Sequence, residues 1–564
     1  MLPNQKKILI NLIKSAVHDL VPDSEIEVIL EKPKIKLYGD ISTNIAMRIA
    51  KKINKNPMDL AQNIVDKFNE NIDSKKIISN IEIVKPGFIN FYISKNAMME
   101  VFAEIELHGN KYGHTTNSLE NKNVLVEFVS ANPTGPLHVG HARQAALGSA
   151  ICQIYKAVGW HVVSEFYYND SGNQIHNLAI SVQSRAKNID FDISEPKNKD
   201  LYHGEYIIDI AKAFINKESV DNIDGSKTIA SGNIDCLNDI QTFAIAYLRK
   251  EQDIDLKSFG LIFDNYYLES SLYTSGKVEQ TVQALIKSGY TYEYEGALWL
   301  KTTAITGDDK DRVMRKSNDG SYTYFVPDVA YHKTKWDRGF HKAINIQGSD
   351  HHGTVSRVRA GLQALSNKIP KNYPQYVLHK MVKIISNGEE IKISKRSGTY
   401  VTMRDLINWV GRDAARYFLI QRRADTEFIF DIDLAISQKE ENPVYYIQYA
   451  YARLNSILKK ANIDHSIIQK SDINLLTTSS EINLIKRLSE FPSIIKQSAD
   501  ELSPHYIAFW LQECAADCHS WYNSEHVIVE QENLKLARLR LINATLQVLR
   551  NGLNLLGVSI PEEM

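Results

Sequence analysis

The spacing of apolar residues changes period several times along this chain, and each change marks an element. N-V-L-V-E-F-V-S, from Asn123 to Ser130, is a short run of β-branched and aromatic residues, the pattern of a buried strand. Pro133, Gly135 and Pro136 interrupt it, and from His138 to Val158 the apolar residues recur with helical spacing. H-V-V-S-E-F-Y-Y at 161–168 predicts a second strand, and H-K-A-I-N-I-Q-G at 341–348 a third. Strand, helix, strand in this order predicts a βαβ unit with a parallel, right-handed crossover, an architecture suited to nucleotides.

The flanking regions read differently. Residues 1 to about 115 mix helix-like patterns near both ends of 2–68 with two strand-like stretches, I-E-I-V and G-F-I-N-F-Y-I, before a polar linker at 109–122. From about 180 to 270 the chain is rich in Asn, Asp, Lys and Ser and less regular, which predicts an insertion. From about Pro443 the periodicity is almost continuously helical, predicting a C-terminal bundle. The expected fold class is therefore α/β. A Rossmann-type catalytic domain (116–375, with the insertion at about 180–270) follows an N-terminal α+β domain (1–115). A connecting region (376–435) leads from it to an all-α helical bundle (436–564).

Composition bounds the function classes. At 564 residues the chain is long enough for three to four domains, and with 43% apolar and 24% charged residues it reads as globular. No apolar run approaches the roughly 20 residues of a spanning helix, and no signal peptide is evident, so no membrane role and a cytoplasmic address are expected. Four cysteines (152, 236, 514, 518) suit a reducing compartment. C-x-x-x-C-H at 514–519 lacks a matching second pair, so helix-face cysteines are expected there, with no structural zinc and no other protein metal site. The net charge of −1 is uninformative, but nine Lys/Arg against two Glu between Arg357 and Tyr400 make a local positive field that suits an anion.

Two motifs carry chemistry. In A-N-P-T-G-P-L-H-V-G-H-A-R, His138 and His141 fall one turn apart at a helix N-terminus, where N–H groups and the helix dipole favour a phosphate. The histidines could donate to phosphoryl oxygens as charge develops, while Gly140 leaves room for a nucleotide. Alone, this could be two ordinary histidines behind a loop. The second motif, I-K-I-S-K-R-S-G at 391–398, sets Lys392 and Lys395 around Ser394 in a loop suited to the β- and γ-phosphates of ATP.

Together H-x-G-H and K-I-S-K-R resemble the paired signatures of class I aminoacyl-tRNA synthetases. Y-G-D-I-S-T-N-I-A (38–46), V-E-F-V-S-A-N-P-T-G-P-L-H-V-G-H-A-R (126–143), Y-Y-N-D-S-G-N-Q (167–174), T-Y-F-V-P-D-V-A-Y-H (323–332), G-S-D-H-H-G (348–353) and N-P-V-Y-Y-I-Q-Y-A (442–450) resemble the arginyl-tRNA synthetase family along almost the whole chain. L-A-R-L-R near residue 538 is only weakly similar to that family's DALR signature.

The resemblance implies an ATP-dependent ligase that activates L-arginine and charges tRNA(Arg), uses Mg2+ with ATP and needs bound tRNA for activation; a monomer is expected, although the sequence does not reveal the oligomeric state. It implies further that His138, His141, Lys392 and Lys395 are catalytic, and that Gly140, Asp350, His351 and Ser394 bind ATP. Glu127, Asn132, Tyr324, Asp328 and Gln174 would bind arginine, Asn132 near the α-amino end. An arginine pocket needs carboxylates, because a guanidinium is a permanent cation with five donors. Pro327 at a helix start would place Asp328 in the first turn and Tyr324 at the end of the preceding strand. Glu127 could instead be a salt-bridged strand residue, and Asp328 a helix-terminal charge. Tyr445, Tyr446, Tyr449 and Tyr451 could stack on anticodon bases, although helical spacing puts at least half of them in the core. Rival readings are a class I synthetase for another amino acid, a small-molecule nucleotidyltransferase and a catalytically silent tRNA-binding protein.

Overall fold

The structure, a computed structural model, describes every residue except 22–26, 34, 36–37, 116–121, 171, 190–194, 196–197 and 392–399. A five-stranded sheet lies at its centre. Its strands run in the order Gln375–His379, Lys342–Gly348, Asn123–Glu127, His161–Tyr168, Asn265–Leu268, and every pair is parallel. The order reverses at 123–127, so a crevice opens beyond the carboxyl ends of 123–127 and 342–348, where doubly wound sheets bind ligands. Val124, Leu125 and Val126 are fully buried because helices cover both faces of a parallel sheet.

The first strand ends earlier than its pattern suggests, at Glu127 rather than Ser130. Val129 and Ser130 take positive φ values of 69° and 40°, a conformation costing about 1–3 kcal/mol per residue. That bend turns the chain out of the sheet and returns the Ser130 hydroxyl to Glu127 Oε1 at 3.0 Å.

The stretch expected to be irregular is mostly helical. Asn173–Ala186, Glu205–Ile215 and Leu237–Ser258 pack Leu178, Ile207, Phe214 and Phe243 into a core of their own. Most of their Asn and Lys residues face outward while Ser181, Ser184, Asp253 and Asp255 are buried, so the polar composition hid a helical unit. Nor does the insertion extend to 270, since Leu256, Phe259 and Phe263 belong to the main core and 265–268 is the edge strand of the central sheet. A three-stranded antiparallel sheet (Thr291–Tyr294, Ala297–Leu300, Arg312–Arg315) was not legible from the pattern. It shifts Tyr324, which caps the helix Phe325–Asp337 instead of ending a strand.

The N-terminal unit packs the helices Pro3–His18, Ile45–Ile53 and Pro57–Glu70 and the short turn Ser74–Ile77 with an antiparallel sheet, Leu9, Ile13, Ile64, Phe68 and Phe91 lying inside. Lys32–Glu490 (2.6 Å) and Lys486–Asp40 (2.5 Å) link it to the C-terminal helices. Those helices, Pro443–Ala461, Ser479–Asp500, His505–Ser524 and Glu532–Leu556, form the expected bundle. Cys514 and Cys518 are buried on one helix face within it. Arg538 of L-A-R-L-R is buried and ion-paired with Glu481 and Glu525. Among the described residues no helix is long and apolar enough to cross a membrane.

Candidate active site

The helix Val139–Ala157 begins directly beyond the carboxyl end of the first strand, with His138 as its cap. His138 Nδ1 accepts from the Gly140 N–H (3.0 Å), and His141 Nδ1 accepts from the His138 N–H (3.2 Å). With both Nδ1 atoms acting as acceptors, the proton of each neutral imidazole lies on Nε2. The rings stack 3.8 Å apart. Two of the helix N–H groups expected to be open are taken, Gly140's by His138 and Val139's by the Val401 carbonyl. Gly140 is needed by the histidine itself, since a Cβ there would lie 2.8 Å from His138 Cε1.

A cleft of about 470 Å3 opens above this helix start, lined by Ser130, Asn132, Gly135, His138, His141 and Gln174, with Tyr202, Tyr206, His351 and Tyr400 on its far walls. Asn132 Nδ2 donates to Gln174 Oε1 at 2.6 Å, so two residues 42 positions apart meet across it. His351 follows the 342–348 strand into the cleft; Asp350 beside it is exposed. Lys392, Ser394 and Lys395 lie outside the described residues. The chain that follows them is stitched to the histidine turn by an antiparallel bridge between His138 and Thr402 and a hydrogen bond from Met403 N to the Leu137 carbonyl (2.7 Å). Tyr400 packs edge-on to His138 at 6.1 Å.

A second group of residues is dominated by carboxylates. Asp328, in the first turn of the Phe325–Asp337 helix, takes no side-chain hydrogen bond or ion pair from the described residues. Burial first, then Glu269 and Glu127, raise its carboxyl to about 7. Burial likewise pushes Glu269 above the usual carboxylate range, although it accepts the Tyr167 hydroxyl at 2.9 Å. Two desolvated carboxyl groups without an ion-pair partner among the described residues fit a cationic ligand, whose charge would favour their ionised forms.

Glu127 is different. It is 5% exposed, with Oε2 held by Lys335 and by Asn345 (2.7 Å) and Oε1 by Ser130. That is the arrangement of a salt-bridged strand residue. Tyr324 is 65% exposed at the helix cap, close to Tyr202 of the cleft.

Glu269, Tyr167 and Lys335 were missed in the sequence. Glu269 follows the edge strand in Y-Y-L-E-S, and only the sheet order reveals that this strand's carboxyl end faces the same crevice.

A parallel sheet whose switch point carries H-x-G-H at a helix start, joined to the exit of K-I-S-K-R, defines a class I aminoacyl-tRNA synthetase. Residues 102–432 match the family model for tRNA synthetases class I (R), catalytic domain. Residues 7–93 match the arginyl tRNA synthetase N terminal domain, and 447–564 the DALR anticodon binding domain. The chain is 61% identical to the arginine–tRNA ligase of Bordetella petrii and 52% identical to that of Herminiimonas arsenicoxydans, with all of each chain covered. Its fold matches the Thermus thermophilus arginyl-tRNA synthetase with a TM-score of 0.76 at 20% identity, covering 99% of this chain and 100% of that one. The chain belongs to the arginyl-tRNA synthetase family.

Proposed function

We propose that the cleft and the carboxylate group beside it form one site for ATP-dependent arginylation of tRNA(Arg), in which the residues named above divide the work. The arginine guanidinium sits between Asp328 and Glu269, with Tyr324 beside it. Asn132, fixed by Gln174, receives the α-amino end, and Glu127 contributes its negative field. The arginine carboxylate attacks the α-phosphorus of ATP in line, and the bond to pyrophosphate breaks. The Nε2–H groups of His138 and His141 donate to phosphoryl oxygens as charge builds, with Lys392, Ser394 and Lys395 on the departing pyrophosphate and Gly140, Asp350 and His351 around the nucleotide. No covalent enzyme intermediate is needed, because positioning and fixed donors supply the catalysis. The 2′-hydroxyl of the terminal adenosine of tRNA(Arg) then attacks the arginyl carbonyl, and AMP leaves.

Mg2+ rides on the ATP phosphates in this reading. Among the described residues no group of three or more His, Cys, Asp or Glu side chains stands ready to hold one alone. Residues 1–115 and 436–564 would contact tRNA on either side of the catalytic domain (116–375) and its connecting region (376–435), with the enzyme working as a cytoplasmic monomer. Tyr445 and Tyr449 stack at 5.8 Å with Arg453 over Tyr449 and Tyr522, an aromatic face suited to splayed anticodon bases. Tyr451 is 2% exposed and belongs to the core, and Tyr446 packs on His519.

The observation that carries the proposal is the pair of desolvated carboxyls, Asp328 and Glu269, without a cation. ATP–pyrophosphate exchange with each of the twenty amino acids, with and without tRNA, tests it. Exchange with arginine alone, and only with tRNA present, is expected. Exchange with another amino acid would overturn the pocket, and none at all would favour the silent tRNA-binding reading.

A further inference from the structure

The turn at 131–137 carries Asn132 at one end and leads into His138 at the other, yet it has no regular hydrogen bonding of its own. Its internal backbone bond is Thr134 N to the Asn132 carbonyl at 2.8 Å. Several of its carbonyls accept from side chains outside the turn. Gln252, fully buried on the Leu237–Ser258 helix, donates its Nε2 to the carbonyls of Asn132 (3.1 Å) and Gly135 (2.9 Å). Tyr206, on the Glu205–Ile215 helix of the insertion, donates its hydroxyl to the Thr134 carbonyl at 2.9 Å. A Cβ at Gly135 would lie 3.1 Å from the Tyr400 hydroxyl and 3.2 Å from that of Tyr206. The turn is thus gripped between the insertion and the segment from Tyr400 onward that follows K-I-S-K-R in the chain.

From this geometry we infer that Tyr206 and Gln252 are positioning residues for amino-acid activation: they hold the 132–135 turn so that Asn132 and His138 keep their distance and orientation across the cleft. The inference rests on the proposed reading of Asn132 and His138 as activation-site residues. A buried loop must satisfy its carbonyls, and one that satisfies them with borrowed donors adopts the shape those donors impose. Neither residue needs to touch arginine or ATP for this. Because Tyr206 belongs to a helical unit with its own core, the grip also ties the turn to the placement of that unit.

The test uses the full-length enzyme in tRNA-dependent, arginine-dependent ATP–pyrophosphate exchange. Tyr206→Phe removes only the hydroxyl, and Gln252→Met removes both donors while keeping the length of the side chain. Tyr206→Phe is expected to lower kcat about tenfold and Gln252→Met about a hundredfold, in line with the effect of misplacing reacting groups by about an ångström. The arginine KM should rise severalfold in both, while the tRNA dissociation constant and the thermal midpoint stay close to wild type. Wild-type kinetic constants in the folded variants would overturn the inference. So would a loss of tRNA affinity matching the loss of exchange, since that would make Tyr206 a tRNA contact. If Gln252→Met does not fold, Tyr206→Phe decides alone. Asn132→Ala and His138→Ala run alongside: should these two leave exchange intact, the activation-site reading falls and the inference with it, whereas their loss beside an unaffected Tyr206→Phe sinks the inference alone.

Discussion

Asp328→Asn should make the enzyme more stable and nearly inactive at once. The native carboxyl is raised from 3.8 to about 7 by burial, Glu269 and Glu127, with Lys335 opposing. A carboxyl with a raised native pKa binds its proton more tightly folded than unfolded. Its contribution to stability is therefore most favourable below the unfolded value and is lost as pH rises toward the native one. Between about pH 5.5 and 7 the unfolded side chain is ionised and the native one is not. That interval of about 1.5 units, at roughly 1.4 kcal/mol each, costs the wild type about 2 kcal/mol, and above 7 the loss levels off. Asparagine has nothing to ionise. Denaturant unfolding of the catalytic domain across pH 5.5 to 8.5 should thus show Asp328→Asn gaining about 2 kcal/mol on the wild type as pH rises. Arginine-dependent exchange should fall by at least a hundredfold, while tRNA binding is retained. An advantage that does not change with pH would refute the desolvated-carboxylate argument, and an unchanged arginine KM would remove Asp328 from the guanidinium pocket.

Other outcomes follow from the same geometry. Below about pH 7 the wild-type arginine KM should climb roughly tenfold per pH unit, because Asp328 must lose its proton to meet the guanidinium; a flat profile down to pH 6 contradicts this. Lys335→Met leaves Glu127 buried and uncompensated, which should destabilise the catalytic domain by about 3–5 kcal/mol in denaturant titrations. Lys395→Ala should slow exchange by about 100- to 1000-fold with an unchanged thermal midpoint, and an unaffected rate would exclude that loop from pyrophosphate stabilisation. Tyr449→Ala should weaken tRNA(Arg) binding by about 1–3 kcal/mol in filter-binding assays and leave exchange at saturating tRNA intact. Equal weakening of a tRNA with an altered anticodon loop would point to packing instead of base contact.

What the sequence determined is what short stretches decide among themselves. Alternating and helical periods act over a few residues, so the strands at 161–168 and 342–348, the helix capped by His138 and the terminal bundle were all legible. H-x-G-H and K-I-S-K-R were legible too, because each motif is contiguous. Tertiary structure decided everything that depends on which strand lies beside which. The crevice exists because 342–348 crosses to the other side of 123–127, bringing His351 to face Asn132 and His138. Asp328, Glu269 and Glu127 come from three elements up to 201 residues apart, and only their convergence in a desolvated space lifts the Asp328 carboxyl to about 7. Glu127 shows the same limit in reverse: at the end of the first strand the resemblance implied a ligand contact with a salt bridge as the alternative, and only the fold shows that Lys335 and Asn345 hold it. Local pattern fixes which groups a segment can offer. Their charge state and free valences are set by partners that sequence distance conceals, because burial and Coulomb interactions depend on separation in space.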